Sequence, residues 1–149
     1  LLEVEALDEL KRHEAIYCRA SAYYTTGEYG LALVDYNILA KEVRTNWGAE
    51  AKYKAAECYY HLGAVDMAEQ EIMSFTRMQT SHQYWLAKSL ILLADINVDK
   101  NDLFQAKQYL LALQNNYRKA DDLAAIISEK LAHIQQLEIQ QNTDTTLIE

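Results

Sequence analysis

The sequence predicts an all-α chain of antiparallel helix pairs arranged as repeats, and three observations carry that prediction. The first is composition: 149 residues contain no Pro and only four Gly, and half are hydrophobic. With Ala, Leu, Glu, Gln and Lys plentiful, this balance favours helices joined by short turns. The second is periodicity. Apolar residues recur at helical spacing, as in Val65, Ala68, Ile72 and Phe75, or Phe104, Ala106, Leu110 and Leu113, which gathers them on one helical face. The third is repetition. The skeleton of YYTTGEYGLALVDY (23–36) returns in YYHLGAVDMAEQEI (59–72) and, more faintly, in NVDKNDLFQAKQYL (97–110).

The repeats share one register. Gly27, Gly63 and Asn101 fall where one helix must end and the chain turn, and Gly and Asn are the residues that tolerate a left-handed backbone. Five residues later come Ala32, Ala68 and Ala106, small enough for close helix contact, and one helical turn on come Tyr36, Ile72 and Leu110. Ala20, Ala56 and Ala94 precede the turn, and Trp47 and Trp85 each stand 16 residues before theirs. The spacing between turns is 36 and then 38 residues.

Taken in order, residues 1–10 (LLEVEALDEL) occupy the register of a preceding second helix. No breaker follows them, so one long helix is the alternative. Repeat 1 (11–44) has helices at 12–26 and 28–44, repeat 2 (45–80) at 48–62 and 64–78, and repeat 3 (81–118) at 84–99 and 103–117. Acids at Asp121 and Asp122 suit the start of a further helix. That helix, 121–138, carries the stripe Leu123, Ile126, Ile127, Leu131, Ile134 and Leu137 and reads as a C-terminal cap. Residues 139–149 lack periodicity and are expected to be loose. The chain opens on Leu1 rather than Met, and we read it as a piece of a longer repeat protein. Cytoplasm and bacterial periplasm both stay open as compartments.

The composition also excludes classes of function. The formal charge is -8, from 14 basic and 22 acidic residues, and the bases are scattered rather than clustered as phosphate contacts require. No apolar run approaches the roughly 18 residues of a membrane span. Neither nucleic acid nor membrane insertion is expected. Cys18 and Cys58 sit among apolar and small residues, where a free Cys behaves as a small hydrophobe. The four His, at 13, 61, 82 and 133, are far apart in sequence. HEAIYCR lacks the second His that a zinc-protease helix places one turn on. TGEYG has too few glycines for a phosphate loop and follows a helix, not a strand. No serine stands in a GxSxG elbow. The expectation is a non-enzyme without metal or cofactor.

The residues quoted above resemble the tetratricopeptide repeat family. The match is Ala20, Tyr23, Gly27, Tyr29, Ala32 and Tyr36 in repeat 1, and Ala56, Tyr59, Gly63, Ala68 and Ile72 in repeat 2. In repeat 3 it is the degenerate set Ala94, Asn97, Asn101, Ala106 and Leu110. It covers about 110 residues and departs from the family in its longer period and in lacking the terminal Pro. The resemblance implies a right-handed α-α superhelix whose first helices line a concave groove. It places Glu14, Tyr17, Ser21, Tyr24 and Thr25 there from repeat 1, and Glu50, Tyr53, Glu57, Tyr60 and His61 from repeat 2. Repeat 3 contributes Lys88, Ile91, Asp95, Val98 and Asp99. Tyrosines in a groove offer rigid contact area with a polar tip, and carboxylates around them select for Lys or Arg. Where some relatives hold acidic chaperone tails with a Lys/Arg/Asn clamp, these positions carry Tyr, Glu and Ser, which argues against that role. The implied function is a protein-interaction scaffold, monomeric, binding a peptide or protein segment of basic or aromatic character. The alternative is a structural spacer or self-association module that uses the 123–137 stripe.

Overall fold

A computed structural model describes residues 1–148. The described residues form seven helices: α1 (Leu2–Thr25), α2 (Tyr29–Leu39), α3 (Asn46–His61), α4 (Val65–Arg77), α5 (Gln83–Asp99), α6 (Leu103–Asn116) and α7 (Leu123–Ile148). No strand occurs among them, so the chain is all-α. No helix among them is long and apolar enough to cross a membrane. Two compact units divide the chain, one from Leu1 to Leu86 and one from Ala87 onward.

The three repeat turns are built alike. Gly27, Gly63 and Asn101 take positive φ of 80°, 78° and 62°. In each turn the following residue donates its amide back to the carbonyl five residues earlier: Glu28 to Tyr23, Ala64 to Tyr59 and Asp102 to Asn97, at 2.8, 2.9 and 2.8 Å. Each turn residue itself donates to the carbonyl three earlier, on Tyr24, Tyr60 and Val98. This double closure satisfies carbonyls that the ending helix leaves open. The register read from sequence is therefore the register of the backbone.

In the first unit α1 packs on α2, α2 on α3, and α3 on α4. Ile16 and Ala20 meet Ala32, Tyr36 and Leu39 of α2 and Ala51, Ala55 and Cys58 of α3 in one buried cluster. The alanines let the helices approach while Tyr36, fully buried, supplies the volume. A second cluster, Val43, Ala49 and Phe75 with Met78, Trp85 and Leu86 packed against it, sits at the repeat junctions. Two ion pairs cross between first and second helices. Arg19 grips the buried Asp35 with two bonds of 2.8 and 2.7 Å, and Lys52 meets Glu71 at 2.7 Å.

In the second unit α6 packs on α7, and Leu103, Ala106, Leu110, Leu113, Leu123, Ile127 and Ile134 are buried. Asp102 caps α6 by accepting from the Gln105 amide at 3.0 Å. The Lys130 ammonium donates to Asp95 at 2.7 Å, and Lys107 meets Glu138 at 3.3 Å.

Residues 2–10 continue into α1 as one helix, the alternative left open by the sequence, and two boundaries differ from the sequence reading. The expected helix 28–44 stops at Leu39, because Arg44 folds back on Glu42 with bonds of 2.8 and 2.6 Å and Thr45 caps α3 through the Gly48 amide at 2.9 Å. Gly48 makes that turn possible, since a Cβ there would lie 1.8 Å from the Glu42 carbonyl oxygen. The 121–138 helix begins at Leu123 and runs on to Ile148, through the segment expected to be loose. There the Thr143, Thr145 and Thr146 hydroxyls donate to carbonyls one turn back, at 3.0, 2.9 and 2.8 Å, and no Gly or Pro interrupts the helix.

Candidate interaction surface

On α1, Tyr17 and Tyr24 are seven residues apart and share a face; on α3, Trp47, Glu50, Lys54, Glu57 and His61 follow at three- and four-residue spacing and share another. The fold sets these faces side by side, and side chains link them in three successive rungs.

In the first rung the Tyr17 hydroxyl donates to Glu50 at 3.1 Å, while its ring stacks on Trp47 with centroids 6.2 Å apart. In the second, the Tyr24 hydroxyl donates to Glu57 at 2.9 Å. The Lys54 ammonium lies 4.1 Å from the Tyr24 ring centroid and 5.7 Å from that of Tyr53, and reaches Glu57 at 3.3 Å. In the third, Tyr29 stacks on His61 at 4.5 Å, Tyr24 meets both edge-on, and Tyr60 tilts against His61 at 6.0 Å. The first rung's stack recurs in the repeat register as Tyr53 on Trp85 at 5.9 Å.

Burial raises the Tyr24 and Tyr17 hydroxyl pKa values above the usual phenol range, and the facing Glu57 and Glu50 carboxylates push the same way. Both phenols therefore stay protonated and act as donors. Burial also pushes Tyr36 up to about 12 and the Cys58 thiol up to about 12.

Of the residues expected to face a groove, Tyr17, Tyr24, Glu50, Glu57 and His61 come together, with Tyr60 beside His61. Glu14 is exposed and Ser21 half-buried, its carbonyl accepting from the exposed Thr25 hydroxyl at 2.8 Å. Tyr53 is a correction: it is 7 % exposed, shielded by its stack on Trp85. Ile91 is another. It is 6 % exposed, because α5 carries Ala87, Leu92, Leu93, Ala94 and Ile96 as well, and a helix apolar on nearly every side is buried. In the second unit Lys88 and Val98 are half-buried, Asp99 is exposed, and Asp95 is held by Lys130. The face is less acidic than the stripe suggested, since Glu57 already holds Lys54.

Lys54, Trp47 and Tyr29 belong to this surface and were not among the expected residues. Lys54 was legible, standing four residues after Glu50 and three before Glu57, where helical neighbours meet. Next to the first rung, a cleft of about 720 Å³ opens between the α1 residues Leu10 and His13, the α2 end at Ile38 and Leu39, and Trp47. Arg12 and Lys41 also line it.

Among the described residues no group of three or more His, Cys, Asp or Glu could hold a metal ion. Comparison with protein-family models, with curated proteins and with solved structures finds no match to this chain.

Proposed function

We propose that this chain is a tetratricopeptide-like, non-enzymatic module that holds a protein or peptide segment against the α1/α3 face of its first unit. The repeat identity draws support from three turns of the same hydrogen-bonded form at Gly27, Gly63 and Asn101. A superhelix of such repeats would place this face on its concave side. One observation carries the functional reading: a half-exposed row of aromatic rings, from Trp47 and Tyr17 through Tyr24 to Tyr29, His61 and Tyr60, interleaved with carboxylates. Rings fixed by their neighbours lose little entropy on binding, and carboxylates favour Lys or Arg in the bound segment.

The test is capture of the partner with the chain, followed by affinity measurement on Tyr60→Ala. Loss of about 2 kcal/mol is expected, the scale of an aromatic hot spot, with an unchanged helical circular-dichroism spectrum. A folded Tyr60→Ala that binds like the parent would remove the face from consideration.

A self-association module is the second reading, but the 123–137 stripe does not support it, because Leu123, Ile127 and Ile134 are buried. What favours it is the row Val4, Leu7 and Leu10 on α1, 61 %, 49 % and 53 % exposed. A dimer on a sizing column, lost in Leu7→Glu, would select that reading.

A further inference from the structure

The second rung has the make-up of a cation site that already holds a cation. Two aromatic rings, Tyr24 and Tyr53, and one carboxylate, Glu57, converge on the Lys54 ammonium. The ammonium sits over the face of Tyr24, where the ring quadrupole attracts positive charge. Tyr24 is itself fixed, by its bond to Glu57 and by edge contacts with Tyr29 and His61, and Tyr53 is fixed by Trp85. The walls are thus held by groups other than the cation they enclose.

We propose that Tyr24, Tyr53 and Glu57 form an alkylammonium site, filled by Lys54 in the free protein and by a lysine-type side chain of the bound segment when Lys54 withdraws. The proposal rests on the α1/α3 face being the binding surface and names what that surface selects. The chemical class is a primary or N-methylated alkylammonium, because a compact point charge on a thin stem is what the site encloses now. Withdrawal is open to Lys54. Its side chain is 21 % exposed, its stem has several freely rotating bonds, and its pair with Glu57 is a local one between residues three apart on one helix. Lys54 would therefore set specificity: it keeps Glu57 neutralised until a competing ammonium arrives, and it rejects anionic or neutral side chains that cannot replace it.

The experiment uses the full chain as Lys54→Ala, titrated with n-butylammonium chloride and, separately, with n-butanol, while the ring protons of Tyr24 and Tyr53 are followed by NMR. Lys54→Ala should show saturable shifts at both rings with butylammonium, at an affinity about tenfold above the parent protein, and none with butanol. Adding Glu57→Gln should abolish the response. Should Lys54→Ala be unstable, Lys54→Gln keeps the first methylenes and empties the same site. Equal responses in parent and variant, or shifts elsewhere than at these rings, would overturn the proposal. The two readings separate with the captured partner: if Tyr60→Ala weakens binding and Lys54→Ala leaves it unchanged, the face stands and the alkylammonium site falls.

Discussion

α1 and α3 hold the same place in successive repeats, yet α3 buries eight of its sixteen residues and α1 two of its twenty-four. Residue type does not explain the difference. Ala51 is buried and Ala15, in the same register, is exposed; Cys58 is buried and its counterpart Ala22 is exposed. Position explains it: α3 packs on both α2 and α4, whereas α1 packs on α2. The basic partners of two equivalent acids follow the same logic. Asp35 and Glu71 are equivalent acids, on α2 and α4. Asp35 is held by Arg19, whose side chain stays 59 % exposed, and Glu71 by Lys52, whose side chain is 10 % exposed. A repeat thus specifies a contact pattern, and the neighbours present decide how much of it becomes core.

The largest effect expected from this comparison is at Lys52. Lys52→Met would leave Glu71 shielded and unpaired, and should cost about 3 kcal/mol in a denaturant melt. Glu71→Leu added to it should restore most of that loss. If the single variant melts like the parent, the pair is not part of the interior.

Next in size is a matched pair. Ala51→Leu forces extra methylenes into a packed cluster and should cost roughly 1–3 kcal/mol. Ala15→Leu, on the exposed side of α1, should stay within about 0.5 kcal/mol. Equal costs would mean that α1 is covered as α3 is.

The last effect is on pH. Cys58, Tyr36, Tyr24 and Tyr17 all have folded-state pKa values raised above the ordinary ones, chiefly by burial. Each contributes stability that is fully present below the unfolded pKa and lost as pH rises through the folded one. The melting temperature should therefore fall as pH climbs from 9 towards 12, where Cys58 and Tyr36 titrate. At pH 8 a thiol reagent should label the exposed Cys18 and spare the buried Cys58. Two thiols reacting together at that pH would contradict the burial of α3.

What the sequence disclosed, and what it withheld, divides along the same line. The turns were legible because Gly27, Gly63 and Asn101 meet a backbone need that few residues satisfy. The end of α2 was not, since Lys41, Glu42, Val43 and Arg44 suit a helix well. What stops it is a fold-back of Arg44 on Glu42 and the close passage of Gly48 beneath the Glu42 carbonyl. At the candidate surface, the stripes on α1 and α3 could be read from spacing, but not the partner each side chain would reach. Tyr17 and Tyr24 were expected to offer polar tips to a bound segment; both hydroxyls donate instead to Glu50 and Glu57. Tyr53 and Lys54 are adjacent, and the family resemblance put the tyrosine on the open face, whereas the structure shields the ring and brings the lysine over Tyr24.

The most direct test of the α1/α3 face is amide chemical-shift mapping of the full chain with a blocked peptide of alternating lysine and tyrosine. Saturable shifts should centre on Tyr17, Tyr24, Lys54, Glu57, Tyr60 and His61, and the affinity should fall as salt rises, because the attraction is partly between exposed charges. Shifts centred instead on α2, α4 or α7, or spread without saturation over the acidic surface, would contradict the assignment of this face as the binding site.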